Sequence, residues 1–128
     1  MERQRPASVG KLPHILIVED NPDVRDSLCM LLQLLGYQVE VAANGGEGIR
    51  KALASRPEVG VIDIGLPGVD GYEVARRLRA ALGSSIRLIA HTAYTQPENR
   101  ERALQAGFNV FLGKPAEPER LTDLLNWA

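Results

Sequence analysis

The chain has one cysteine, Cys29, in 128 residues, which excludes an internal disulfide framework and fits a reducing compartment. Cys29 lies among Leu28, Met30 and Leu31, the setting of a small hydrophobe and not of a reactive thiol. Net charge is also lacking. Fifteen basic against 16 acidic side chains leave −1, with no basic excess of the kind that binds nucleic acid directly. No apolar run approaches the roughly 18 residues of a membrane span. Residues 1–11 are polar, so they are no secretory signal and read as a disordered leader or linker. Repeats and low-complexity stretches are missing too. What is left, residues 12–128, has the size of one domain with one substantial core, and 45% hydrophobic with 24% charged residues is ordinary globular composition.

Short apolar runs alternate with helical patterns along that domain. His14 to Val18 reads as a buried strand, closed by the acidic loop Glu19-Asp20-Asn21-Pro22-Asp23. Asn21 can cap a helix with Pro22 at its first position and Val24, Leu28, Leu31, Leu32 and Leu35 inward, ended by Gly36. Tyr37, Val39 and Val41 alternate with polar residues, as in a strand near a sheet edge. A second helix is expected from the cap Asn44 to Ser55, with Ile49, Ala52 and Leu53 inward. Gly45, Gly46 and Gly48 should weaken its start by roughly 1 kcal/mol each. Val59 to Ile62 is a third strand. Asp70-Gly71 opens a helix with Val74, Leu78 and Leu82 inward and Arg76, Arg77 and Arg79 outward. Ile86 to Ala90 leads into His91-Thr92, and Thr95 to Glu98 has capping-box spacing for a helix with Leu104 inward. After Gly107 come a strand over Val110 to Leu112, then Lys114-Pro115, and a helix introduced by Pro118 that buries Leu121, Leu124 and Leu125. Five strands alternating with five helices predict an α/β fold, a parallel sheet covered on both faces.

Parallel strands point one way, so the polar residues at their carboxyl ends converge on one edge, where open α/β sheets bind ligands. That edge collects Glu19 and Asp20, Asp63, Thr92 and Lys114. Carboxylates this close repel one another unless a cation joins them, and an all-oxygen set suits Mg²⁺. Lys114 suits a phosphate oxygen. Each residue also has an ordinary reading by itself: the acids can start a helix at its positive end, Thr92 can end a strand, Lys114 can be solvated and Phe111 can be plain core. His91 should face away from Thr92, because neighbouring strand residues point to opposite faces.

Four motifs in order, Glu19-Asp20-Asn21, Asp63 through Gly71, Thr92-Ala93 and Lys114-Pro115, resemble the CheY-like receiver domain of two-component response regulators and hybrid histidine kinases. The resemblance runs from about Pro13 to Trp127. It implies a flavodoxin-like five-stranded parallel sheet in the order 2-1-3-4-5 flanked by five helices, an order given for CheY itself. By that resemblance Asp63 is the phosphoacceptor, while Asp20, Glu19, Asp63 and the backbone carbonyl of Gly65 hold Mg²⁺. Thr92 and Lys114 meet the phosphoryl group, Phe111 is the switch aromatic with Thr92, and the Lys114–Pro115 bond is cis. The implied partners are a histidine kinase or histidine phosphotransfer protein and a downstream protein target. The fourth helix, fifth strand and fifth helix form the switched surface. The resemblance implies no separate enzyme substrate, no direct nucleic-acid contact and a cytoplasmic setting, free or as part of a membrane-bound hybrid kinase. Only Trp127 and Ala128 follow the last helix, so a stand-alone regulator or a receiver from a larger chain is expected. Two positions vary in that family and tune phosphoryl lifetime. Gly65 leaves an attacking water unscreened, and Tyr94 has the size to cover it.

Two alternatives fit less well. A nucleotide- or flavin-binding module wants a Gly- or Ser-rich phosphate loop after the first strand, where this chain has Glu19 to Asp23. An Asp-nucleophile phosphatase usually carries a second Asp two residues on, where this chain has Gly65.

Overall fold

Parallel pairing governs the architecture. In the computed structural model, which describes residues 12–126, β1 (His14–Val18) pairs with β2 (Gln38–Ala42) on one side and β3 (Val59–Ile62) on the other. The sheet continues through β4 (Arg87–Thr92) to β5 (Val110–Gly113), giving the order β2-β1-β3-β4-β5. The leader expected over residues 1–11 and the end of the domain at Trp127 and Ala128 lie outside the described residues.

The two-residue period of each strand divides the core. Ile15, Ile17, Val59, Val61, Ile89 and Leu112 face α1 (Pro22–Leu34) and α5 (Pro118–Leu125). Leu16, Val18, Ile62, Leu88, Ala90 and Phe111 face α2 (Gly45–Ser55), α3 (Gly71–Leu82) and α4 (Pro97–Ala106). Both faces are buried, which is why the inner strands read as continuous apolar runs. The helices start where capping chemistry places them: Asn21, Asn44 and Asp70 each accept backbone N–H groups of the first turn.

Five local expectations are corrected. Leu35, expected inward, is exposed, because α1 ends at Leu34 and Leu35 is its C-cap. Leu53 and Leu104 are exposed, and the inward positions of α2 and α4 fall to Ala52 and to Ala103 and Ala106. Arg79 does not point to solvent. Its guanidinium donates to the carbonyls of Ile86 and Gly107 and to Asn109 Oδ1, tying the end of α3 to the segments entering β4 and β5. Thr95 makes no capping box, since the N-cap of α4 is Gln96, which makes no side-chain cap bond.

The glycines that looked like a weak start to α2 are needed for close packing. A Cβ on Gly45 would stand 2.3 Å from the Val69 carbonyl oxygen, and one on Gly48 would stand 2.7 Å from Val18 Cγ2. Gly46 has ordinary room, with nothing nearer than 3.6 Å. Gly45→Ala and Gly48→Ala should therefore each destabilise the protein by about 1–3 kcal/mol. Gly46→Ala should be neutral or stabilising by up to about 1 kcal/mol. Urea unfolding of the three variants checks this, and equal shifts at all three positions would refute the packing account.

Candidate functional site at the carboxyl edge

The site is built by ladders that run one residue past the strands. Asp63 N–H donates to the Val18 carbonyl at 3.0 Å, Glu19 N–H to the Ala42 carbonyl at 3.0 Å, and Lys114 N–H to the Thr92 carbonyl at 2.9 Å. These bonds set Asp63 beside the end of β1 and Lys114 beside the end of β4. Glu19, Asp63 and Thr92 are buried, while Asp20 is exposed at the rim. One carboxylate oxygen from each of Glu19, Asp20 and Asp63 lies within 4.8 Å of the others.

Lys114 holds the buried acids together. Its Nζ stands 2.8 Å from Glu19 Oε1 and 3.1 Å from Asp63 Oδ2. Burial alone would lower the lysine's pKa, but the two carboxylates outweigh it and hold it above the ordinary value. The Glu19 carboxyl is pushed up, chiefly by burial, with the Asp63 charge adding to the shift and Lys114 and the Asn21 N–H opposing it. Asp63 Oδ1 accepts the Gly65 N–H at 2.9 Å, so both of its oxygens are held and the carboxylate orientation is set. A carboxylate offers about four lone-pair sites, so each oxygen keeps capacity for another partner.

The donor set fits Mg²⁺. It is all oxygen, it carries three carboxylates against one ammonium, and buried Glu19 Oε1 has the ion pair but no aligned hydrogen-bond donor. Thr92 Oγ1 accepts the Tyr94 N–H at 3.0 Å, which leaves the hydroxyl proton available to donate. The Lys114–Pro115 peptide is cis. Phe111 lies in the core, on the same sheet face as Thr92.

Two glycines shape the site in ways the residue pattern did not show. A Cβ on Gly71 would stand 2.4 Å from the Asp63 carbonyl oxygen, so α3 starts directly against the backbone of Asp63. A Cβ on Gly65 would stand 2.8 Å from Tyr94 Cε2 and 3.5 Å from Asp63 Oδ1, which places the Tyr94 ring across that flank of the site. The Asp-to-Gly spacing from 63 to 71 was the available signal for the first, and nothing local announces the second.

His91 points to the opposite face, as its position next to Thr92 requires. It is 3% exposed, its Nε2 has no hydrogen-bond partner, and it lines a mostly apolar hollow of about 540 Å³ between α1 and the loop after β5. Val24, Leu28, Leu31, Lys114 and Pro115 share that hollow.

A family model described as the response regulator receiver domain matches residues 15–126. A CheY-like receiver domain protein from Methanospirillum hungatei superposes with a TM-score of 0.82 at 33% identity, covering 88% of this chain and 90% of that one. The chemotaxis protein CheY4 of Vibrio cholerae superposes at 0.84 with 30% identity, covering 89% and 96%. An uncharacterized 14.6 kDa protein of Leptolyngbya boryana is 39% identical over 87% of this chain and 86% of its own. The response regulator MprA of Mycolicibacterium vanbaalenii is 37% identical over 84% of this chain but only 46% of its own length. For the sensor protein EvgS of Escherichia coli O157:H7, 35% identical over 88% of this chain, the share is 9%.

Burial lowers the His91 pKa to about 4, helped by Lys114 and opposed by Asp63. The unfolded side chain titrates near 6.5. Its contribution to stability is therefore complete above about pH 6.5 and is lost as pH falls toward 4, because only the unfolded chain takes up the proton. The loss amounts to at most about 3 kcal/mol. Urea midpoints between pH 7 and 4.5 should fall less for His91→Leu than for the parent, and parallel curves would refute the assignment.

Proposed function

The chain belongs to the response regulator receiver domain family of two-component systems, and on that premise we propose that Asp63 is its phosphoacceptor. One observation carries the reading: a buried carboxylate at the sheet's carboxyl edge, held by Lys114 and the Gly65 N–H, beside Glu19 and Asp20. In this reading an Asp63 oxygen attacks the phosphorus of a phosphohistidine on a histidine kinase or phosphotransfer protein. The P–N bond breaks, its electron pair returns to the imidazole nitrogen, and Asp63 becomes an acyl phosphate. Later attack by water on phosphorus releases inorganic phosphate and restores the carboxylate, so no separate substrate is turned over.

Glu19, Asp20, Asp63 and the Gly65 backbone carbonyl are the groups that would hold Mg²⁺, which when bound supplies positive charge against the phosphoryl oxygens. Lys114 already sits on an Asp63 oxygen and is placed to follow the charge onto the phosphoryl group. Thr92 has its proton free to donate there. Catalysis of this kind is positioning and charge neutralisation. Thr92 and Phe111 share a sheet face and make up the switch, with α4, β5 and α5 as the surface a target protein reads. No helix among the described residues is long and apolar enough to cross a membrane. We place the domain in the cytoplasm, on its own or as part of a longer two-component protein.

With a small phosphodonor and Mg²⁺, the parent should gain one phosphoryl group by intact mass, and Asp63→Asn should gain none. Full labelling of Asp63→Asn would move the acceptor elsewhere. Amide shifts of Asp20 and Gly65 on adding Mg²⁺ locate the metal, and their constancy would remove it from this site.

The Tyr94 ring across Gly65 screens one approach for water. Tyr94→Ala should shorten the lifetime of the acyl phosphate several-fold while leaving the extent of initial labelling intact. An unchanged lifetime would show that the ring shields nothing.

A further inference from the structure

Helix α4 is seated differently from its neighbours. Of its ten residues only Ala103 and Ala106 are buried, and its first turn has no side-chain cap. By contrast α3 buries six residues, Tyr72, Val74 and Leu78 among them. Two alanine methyl groups remove little apolar surface from water for a helix of this length. Its larger side chains do not compensate, since Leu104 is 56% exposed.

What α4 has instead is a cation over an aromatic ring on each flank. The Arg100 guanidinium lies 4.9 Å from the centroid of Phe111 on β5, and that of Arg102 lies 4.2 Å from the centroid of Tyr72 on α3. Both separations are within the reach of cation–π attraction. Residues two apart on a helix are separated by about 200°, so the two contacts pull on opposite sides of α4. Both rings are buried, at 8% and 5% exposure, while both arginines stay at the surface. The guanidiniums thus cover ring faces without leaving water. A weak contact between the Tyr72 hydroxyl and Asn99 Oδ1 at 3.4 Å lies on the Arg102 side. Among the described residues nothing comparable assists Arg100.

We propose that Arg100 and Arg102 are positioning residues that form a two-sided clasp, and that Arg100 makes the seat of α4 depend on where the Phe111 ring lies. Phe111 occupies the sheet face of Thr92, opposite Ala90 in the ladder. A displaced ring withdraws the π face under Arg100 and leaves α4 held from the α3 side alone. The clasp thereby connects the interior of the β4–β5 ladder to an external helix through a single exposed side chain. It goes beyond the phosphoacceptor reading and does not require it, because both contacts are present without a phosphoryl group.

The test is a double-mutant cycle read by amide hydrogen exchange on the full 128-residue chain. Gln has nearly the helix propensity of Arg, so Arg100→Gln removes the cation without weakening the helix itself. Phe111→Leu keeps apolar bulk and removes the π face. Each should speed exchange in α4 about two- to fivefold, the range of an exposed cation–π contact, with α1 unchanged. The double variant should exchange no faster than the faster single one, whereas Arg102→Gln should multiply the effect of either. Independent, multiplicative effects of Arg100→Gln and Phe111→Leu would overturn the proposal. So would a rise of equal size in α1 after Arg100→Gln. Should Phe111→Leu loosen the whole core, Arg100→Lys decides. It keeps the charge over the ring and should fall between parent and Arg100→Gln, and exchange as fast as in Arg100→Gln would refute the clasp.

Discussion

Two carboxylates buried side by side at the end of a sheet would push each other apart or take up a proton. The Lys114 ammonium between Glu19 and Asp63 is what allows both to be there. Much of the structure serves that contact. The Lys114 backbone is registered to β4 and the Asp63 backbone to β1, each by one hydrogen bond beyond the regular ladder. Charges held this way need little reorganisation when a further negative group arrives, which is the condition for a site that works through fixed electrostatics. The same triad explains why the acids can be largely withdrawn from water without a binding protein partner.

Precision at the edge comes from absent side chains as much as from present ones. Gly71 lets α3 begin in contact with the Asp63 carbonyl, and Gly45 lets α2 meet the loop that carries Val69. Both helices thus brace the loop after β3 from one side, so Asp63 is carried by a loop with little freedom to shift. Gly65 has a different use, since its missing Cβ is the space that the Tyr94 ring fills.

The strands, the helix caps and the converging acids were legible because they obey local rules. Continuous apolar runs mark doubly covered strands, and Asn21, Asn44 and Asp70 cap helices by chemistry confined to three or four residues. Misreadings arose where distant contacts overrode local pattern. Arg79 looked like a solvent residue because its acceptors, Gly107 and Asn109, lie 28 and 30 positions away. Leu104 looked like core because Leu usually is, yet the inner face of α4 is occupied by Ala103 and Ala106 alone. The three glycines of α2 read as a defect in the helix, and only the positions of Val18 and Val69 show why two of them are there.

The alternation along β4 has a consequence for how the chain tolerates insertions and deletions. Thr92 serves one face and His91 the other, and the hollow that His91 lines sits behind the cleft that Thr92 flanks. Removing or adding one residue within β4 would exchange them, bringing an imidazole into the acidic cleft and a hydroxyl into the apolar hollow. A change of two residues would restore the alternation while shifting the strand along its neighbours by one full repeat. Single-residue length variation should therefore be filtered out of β4 during evolution more severely than almost any substitution there. The segments after β4 and β5 carry no such alternation, and what limits them is the placement of Tyr94 against Gly65 and of Lys114 between Glu19 and Asp63.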